Sequence, residues 1–350
     1  MAYLTLANGA VFEGRRIGAP GDSLGELVFT TGMTGYLETL TDPSYAGQIV
    51  IQTFPLIGNV GVIPEDFEGD CFVRGYIVRE LCDTPSNFRN EGVLDAFLKA
   101  RGVPGLAGID TRELTRMLRE EGTMNAAITE DAPADPAKLS AFAVRGVVPL
   151  VSRSRAALFP AEGTKRHAVT LIDYGAKRNI VRELCRRGCE VTVVPQNTPA
   201  EEILAAQPDG IMLSNGPGDP AENVACIAEI RKLLGRAPIF GICLGHQLAA
   251  LAMGGQTVKL KYGHRGANQP VRDLASGRTY ITTQNHGYAV VAESLAGRGV
   301  LTHVNANDGS CEGLSYPEKR CFTVQFHPEA HAGPRDTAFL FDRFIRMMED

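Results

Sequence analysis

The sequence predicts two domains: a β-rich α+β domain over residues 1–150 and an α/β domain over residues 151–350 built on an open parallel sheet. Three observations carry this. A length of 350 residues suits about two domains of roughly 150 residues each. The first part shows short β-type runs between Gly-rich turns, whereas from His167 onward strand-like and helix-like runs alternate. Between them, residues 131–165 carry two stretches rich in Pro, Ala and charge, at 131–136 and 159–165, which read as surface connection.

In the first part, β-type runs fall at 3–6, 27–31, 48–53 and 72–78. Asn8-Gly9 after the first run is a strong hairpin signal. Residues 92–99 form a short helix signal. A better one opens at Asp110-Thr111, places Leu114, Met117 and Leu118 at helical spacing, and stops at Gly122. In the second part, strands are expected at 168–172, 190–194, 210–213 and 238–242. Helices are expected to follow them at 179–187, 199–206, 224–234 and 244–253. Four βα units in a row mark a parallel sheet. Further β-type runs at 279–283 and 321–326 and a terminal helix from about Asp336 complete the chain.

The composition, 44% hydrophobic and 21% charged, is that of an ordinary globular protein. It excludes a disordered tail protein, a coiled coil and a collagen-like fibre. A formal charge of −5 argues against a dedicated nucleic-acid binder, which would present a basic face. No apolar run approaches the roughly 18 residues that cross a bilayer, and the first residues lack a charged segment of signal-peptide type. A cytoplasmic chain, away from membranes, is therefore expected. The eight cysteines show no CxxC pair. Cys185 and Cys189, about one helical turn apart, are read as two small residues on a helix face rather than half of a metal site. No metal signature and no phosphate-cradling loop for ATP or NAD is present, so neither a metal nor a cofactor is expected on this chain.

The sharpest feature is Gly241-Ile-Cys243-Leu244-Gly245-His246-Gln247, which follows a buried run and opens a helix. This is a nucleophile elbow with Cys in place of Ser. The turn is tight, so its flanking residues are glycines. A helix N-terminus favours thiolate at Cys243, and the N–H groups beyond it suit an oxyanion. A Cys nucleophile needs a base. His246 lies three residues along the same helix and points the wrong way. His167, His264, His286 and His303 are expected in loops or at strand edges, each with a structural role. His327 directly follows the strand 321–326, is fixed by Pro328, and has Glu329 two residues on to hold its ring. Ser214-Asn215-Gly216-Pro217-Gly218-Asp219-Pro220 also follows a buried strand, and this rigid turn exposes N–H groups that suit an oxyanion hole.

These three segments, in this order, resemble the triad-type (class I) glutamine amidotransferases over roughly residues 168–345, whose sheet is flavodoxin-like. Phe29-Thr-Thr-Gly-Met-Thr-Gly-Tyr36, Leu40-Thr-Asp-Pro-Ser-Tyr45, Ile57-Gly-Asn-Val-Gly61 and Gly108-Ile-Asp-Thr-Arg112 are similar to the small subunits of carbamoyl-phosphate synthase within that family. The stretch Asn285-His-Gly-Tyr288 carries Tyr where the family has Phe, which keeps an aromatic ring.

The resemblance implies catalysis by Cys243, His327 and Glu329, and an oxyanion hole from the N–H groups of Gly216 and Leu244. It implies L-glutamine binding by Ser44, Gly216, Gly218, Leu244, Gln247, Asn285, Gly287 and Tyr288. Because Ser44 belongs to the first domain, the site would lie where the domains meet. The resemblance further implies a large synthetase subunit as partner, in a heterodimer or higher oligomer. ATP and Mg2+ would be held by that subunit only, and the product would serve pyrimidine and arginine biosynthesis. Two rivals remain at this stage: a stand-alone Cys hydrolase such as a γ-glutamyl peptidase, and a catalytically idle scaffold.

Overall fold

The Asn8-Gly9 turn joins two antiparallel strands, β1 (Ala2–Leu6) and β2 (Val11–Gly18), as its sequence predicts. The computed structural model describes residues 1–350 and divides them into two units, Met1–Arg145 and Gly146–Asp350. The first continues with β3 (Ser23–Thr30), α1 (Tyr36–Thr41), β4 (Gln48–Gln52), β5 (Leu56–Ile57), β6 (Gly75–Ile77) and β7 (Glu80–Leu81). It ends with α2 (Leu94–Ala100), β8 (Pro104–Ala107), α3 (Thr111–Glu121), β9 (Met124–Thr129) and α4 (Pro136–Ser140).

Seven of these strands close into a barrel in the order β1-β2-β8-β6-β4-β3-β9, and β5 pairs with β7 apart from it. The expected α+β domain is thus corrected to a closed barrel with helices on its outside. Closure depends on β9, which pairs antiparallel with both β1 and β3. Three neighbouring pairs, β3–β4, β4–β6 and β6–β8, are parallel. Such long-range pairings leave no local signature. Side chains alternate across each strand. On β4, Ile49 and Ile51 face one side, while Val50 joins Val28, Tyr76 and Leu37 in the cluster under α1 and α2. Both faces are buried, so the strands read as unbroken apolar runs. Gly75 has no room for a side chain: a Cβ there would lie 2.6 Å from Ile128 Cδ1. Helix α3 starts where its cap predicts, with Asp110 Oδ1 accepting the N–H groups of Arg112 and Glu113 at 3.1 and 2.9 Å.

The second unit contains α5 (Val148–Val151), β10 (Ala157–Phe159), β11 (His167–Asp173), α6 (Arg178–Arg186), β12 (Cys189–Pro195) and α7 (Ala200–Ala205). Then come β13 (Gly210–Leu213), α8 (Val224–Leu233), β14 (Ile239–Ile242), α9 (Leu244–Ala252), β15 (Gln256–Asp273) and β16 (Thr279–Val291). Last are β17 (Val300–Asn305), β18 (Cys311–Tyr316), β19 (Cys321–Val324) and α10 (Phe339–Glu349). One sheet runs β10-β12-β11-β13-β14-β19-β18-β17-β15-β16. Its middle five strands, β12-β11-β13-β14-β19, are parallel. Their order is the flavodoxin-like one. Phe240 stacks on Phe322 with ring centroids 4.4 Å apart, and α10 covers both with Phe341 and Phe344.

Three expectations are corrected here. Residues 131–165 are not a bare connection: they include α4, α5 and β10, the last pairing antiparallel with β12. His264 and His303 lie inside the interior strands β15 and β17, whereas His167 opens β11 and His286 lies on the edge strand β16, within the expected loops or strand edges. Cys185 and Cys189 do not share a helix, since Cys189 opens β12 after Gly188 at φ 79°. No helix is long and apolar enough to cross a membrane.

Candidate active site

The parallel strands β11, β13, β14 and β19 all end on the same edge, so the segments following them collect there. This is where ligands bind in open α/β sheets. Cys243 occupies the turn between β14 and α9 at φ 52° and ψ −104°. A non-glycine residue in such a conformation costs on the order of 1–3 kcal/mol and persists only when its surroundings enforce it. They do so here. The Cys243 N–H donates to Val324 O (2.9 Å), and the Gly245 N–H donates to Ser214 O (3.0 Å). A Cβ on Gly245 would lie 2.4 Å from Leu213 O, so only glycine lets α9 start this close to β13. The turn leaves Cys243 buried, its thiol directed at Asn285 O at 3.7 Å.

His327 and Glu329 follow β19. The His327 N–H donates to Thr283 O (2.9 Å), which fixes the backbone. Its Nδ1 lies 2.7 Å from Glu329 Oε1, and both residues are buried. A proton on Nδ1 directed to the carboxylate leaves Nε2 as the reactive nitrogen. Nε2 is buried without a full hydrogen bond, while the Cys243 sulfur acts on the ring. Burial and Lys177 work against a charged ring, but Glu329 and Cys243 outweigh them and raise the His327 pKa above the ordinary imidazole range. Burial likewise works against the Glu329 carboxylate, and His327 and Lys177 outweigh it, holding its pKa low. The arrangement suits a thiolate–imidazolium pair with its cation held by a carboxylate.

Gly216 lies in the segment after β13. A Cβ on it would lie 2.2 Å from Tyr174 O and 2.7 Å from Leu244 Cδ2, so a side chain there would force Gly216 and Leu244 apart. Of the first N–H groups of α9, that of Gly245 goes to Ser214 O and that of Gln247 to Cys243 O, and Leu244 directly follows Cys243. Gly218 adopts φ 85° two residues beyond Gly216. Gln247 Nε2 donates to Tyr288 O (2.8 Å) and to Gln325 Oε1 (2.9 Å), tying α9 to β16. Asn285, Gly287 and Tyr288 are all on β16, with Asn285 O against Cys243. Cys243, His327, Glu329, Gly216, Leu244, Gln247, Asn285 and Tyr288 are thus brought into one neighbourhood. Ser44 lies in the first unit, buried in a turn where its N–H donates to Asp42 Oδ1 (2.9 Å).

Two residues escape the sequence reading. Lys177, also buried, places Nζ 3.3 Å from His327 Nδ1 and 3.6 Å from Glu329 Oε1. Its backbone N–H donates to Asn215 Oδ1 (3.1 Å). Asn179 Nδ2 donates to Glu329 O (3.1 Å). Both follow the end of β11, and a scan of every parallel-strand end for polar residues would find them. His246, set aside from the sequence, is buried with Nδ1 2.8 Å from Thr323 Oγ1. Burial lowers its pKa to about 3.

A strained cysteine after a parallel strand, with a His–Glu pair after the next strand in the sheet, defines a thiol enzyme on a flavodoxin-like sheet. Residues 170–347 match the family model for class-I glutamine amidotransferases. Residues 4–128 match that for the CPSase domain of the carbamoyl-phosphate synthase small chain. The chain is 52% identical over 352 residues to the carbamoyl phosphate synthase small chain of Listeria innocua, covering 99% of this chain and 96% of that one. To the protein of the same description from Symbiobacterium thermophilum it is 50% identical over 357 residues, covering 98% of each. The chain belongs to the family of carbamoyl phosphate synthase small chains, and its second unit to the class-I glutamine amidotransferases. A stand-alone hydrolase has no use for the matched first domain, so that rival falls away.

Proposed function

We propose that this chain is the glutamine-hydrolysing subunit of a carbamoyl phosphate synthase. The observation that carries the reading is Cys243, strained at the head of α9, beside a His327 whose Nδ1 is bonded to Glu329 at 2.7 Å. The Cys243 thiolate attacks the side-chain amide carbon of L-glutamine. The N–H groups of Gly216 and Leu244 hold the oxyanion, a contribution of about 3–4 kcal/mol per donor in comparable sites. His327 gives a proton to the departing ammonia while Glu329 keeps the ring oriented, and a glutamyl thioester remains. Water, losing its proton to His327, hydrolyses the thioester to glutamate and frees the thiolate. Ser44, Gly218, Gln247, Asn285, Gly287 and Tyr288 hold the substrate.

These steps use no cofactor on this chain. ATP and Mg2+ belong to the large subunit, which takes the ammonia with bicarbonate to make carbamoyl phosphate for arginine and pyrimidine synthesis. Ammonia released into neutral water becomes ammonium, which is no nucleophile, so delivery within a heterodimer or larger cytoplasmic assembly preserves it. The test measures glutamate release by the purified chain, alone and with the large subunit, ATP and bicarbonate. Release is expected to be slow alone and faster in the complex. Cys243→Ser is expected to lower it about 10^4-fold or more, while synthesis from added ammonia continues. Fast release that ignores the partner, or a Cys243→Ser variant that matches the parent, would overturn the reading.

A further inference from the structure

His264, His286 and Glu312 lie outside the catalytic chemistry, yet three strands bring them together. His264 on β15 and His286 on β16 are direct partners in the antiparallel register, just past a bulge between Lys259 and His264. Bulges re-aim side chains. The two rings meet edge to face with centroids 5.0 Å apart. Glu312 on β18 completes the group, and the ligating atoms of the three all lie within 4.8 Å of one another. His286 is buried, Glu312 fully so, and Glu312 Oε2 has no hydrogen-bond partner. A buried carboxylate oxygen without a partner costs several kcal/mol unless a positive charge meets it.

We propose that His264, His286 and Glu312 form a site for a divalent first-row cation of the zinc type. The surrounding groups prepare each ligand. Asp308 Oδ2 lies 2.9 Å from His264 Nε2, which fixes the proton there and turns Nδ1 toward Glu312 Oε1 at 3.5 Å. This carboxylate–histidine arrangement is the usual support of a metal-bound imidazole. Tyr288 O, 2.8 Å from His286 Nδ1, fixes that ring in the same way and leaves Nε2 as its donor. The Gln284 carboxamide oxygen lies 3.0 Å from His286 Nε2 and supplies a fourth, oxygen donor. Two imidazole nitrogens and a carboxylate oxygen are zinc ligands, with a position left for the weaker carboxamide oxygen or water.

The fit is close. With bonds of about 2.1 Å, ligand atoms of a tetrahedral zinc are roughly 3.4 Å apart. The His264–Glu312 pair already stands at 3.5 Å. The remaining separations, at most 4.8 Å, need to close by no more than about 1.4 Å. No sequence motif announces the site, because its ligands come from strands 22 to 48 residues apart along the chain (286 − 264 and 312 − 264). Binding would pin β15, β16 and β18 together one residue from Asn285 and Gly287. It does not depend on the glutaminase reading.

The test uses the full chain, stripped with a chelator, titrated with Zn2+ by calorimetry and with Co2+ by visible absorption. Wild type, Cys243→Ala, Glu312→Gln and Asp308→Asn are compared. One equivalent is expected to bind in wild type and in Cys243→Ala, with Co2+ bands of a nitrogen–oxygen site and no sulfur charge transfer. Glu312→Gln should abolish binding. Asp308→Asn should weaken it about 10- to 100-fold. Asp308 is half exposed, so this variant keeps its fold and decides the matter should Glu312→Gln not fold. No saturable equivalent in wild type, a sulfur-bound Co2+ spectrum, or equal affinity in wild type and Asp308→Asn would overturn the proposal. The cluster would then be an ion pair between a His264 imidazolium and its two carboxylates.

Discussion

The two units hold their polar groups for different ends. In the first, the barrel buries Leu4, Leu27, Ile49, Tyr76 and Leu106 with almost no exposure, and buried Gln52 bonds Gly32 O and Tyr76 Oη within it. In the second, Lys177, His327 and Glu329 are buried beside a strained cysteine. All seven histidines of the chain are there too, at positions 167, 246, 264, 286, 303, 327 and 331. The first unit is organised for stability. The second carries desolvated charge and backbone strain, which cost stability and serve chemistry. A substitution in the first unit should therefore be read in melting, and one in the second in rate.

Gly216→Ala gives the largest rate effect short of losing the nucleophile. A Cβ 2.2 Å from Tyr174 O and 2.7 Å from Leu244 Cδ2 must displace the Gly216 N–H. Loss of one oxyanion donor lowers kcat about 10^2- to 10^3-fold. KM for glutamine should change far less, as measured by steady-state glutamate release. An unchanged kcat would remove Gly216 from the oxyanion hole. The counterpart in the first unit is Leu106→Ala, at a barrel position with no exposure. It should cost about 2–5 kcal/mol in denaturant unfolding. A cost under about 1 kcal/mol would mean the barrel core repacks around the lost side chain.

Acid should separate the units. Burial holds His246 neutral with its pKa near 3 and His303 near 4. Both titrate near 6.5 when unfolded. A lowered pKa means that the unfolded chain binds more protons below pH 6.5. The stability these groups provide is therefore complete above that pH and is lost as pH falls toward 4. At pH 4.5 each costs about 3 kcal/mol. Hydrogen exchange at pH 4.5–6.5, read by mass spectrometry, should show protection falling first in residues 146–350. Equal loss in both units would break the contrast.

The same contrast explains what the sequence made legible. The parallel core of the second unit was readable because βα repeats are local patterns, and its site because elbow, Gly216 turn and His327–Glu329 each occupy a few consecutive residues at a strand end. The barrel was not readable. β9 closes it by pairing with β1 and β3 across more than 90 residues, and alternation specifies a strand without its partner. The short helices at 136–140 and 148–151 escaped because Pro136 and Pro149 stand in their first turns, where Pro starts a helix instead of breaking it, and the three-residue strand 157–159 is too short to show alternation. Lys177 escaped because a lone lysine after a strand resembles any surface lysine until burial is known.

Lys177 provides the smallest and most discriminating test. Its ammonium, 3.3 Å from His327 Nδ1 and 3.6 Å from Glu329 Oε1, disfavours the charged form of the imidazole and favours that of the carboxylate. It lowers the His327 pKa and it lowers that of Glu329. In Lys177→Met the imidazolium loses a repelling neighbour, so its pKa rises further. The alkaline limb of kcat/KM, where His327 loses its proton, should move to higher pH. Glu329 loses one of its two cations, so the acid limb should move up as well. At neutral pH the loss is expected to be about 10-fold in kcat/KM, or roughly 1.4 kcal/mol. A lysine that only fills space would lower activity at every pH without moving either limb. Only a displaced profile marks Lys177 as a positioning residue acting on the pair.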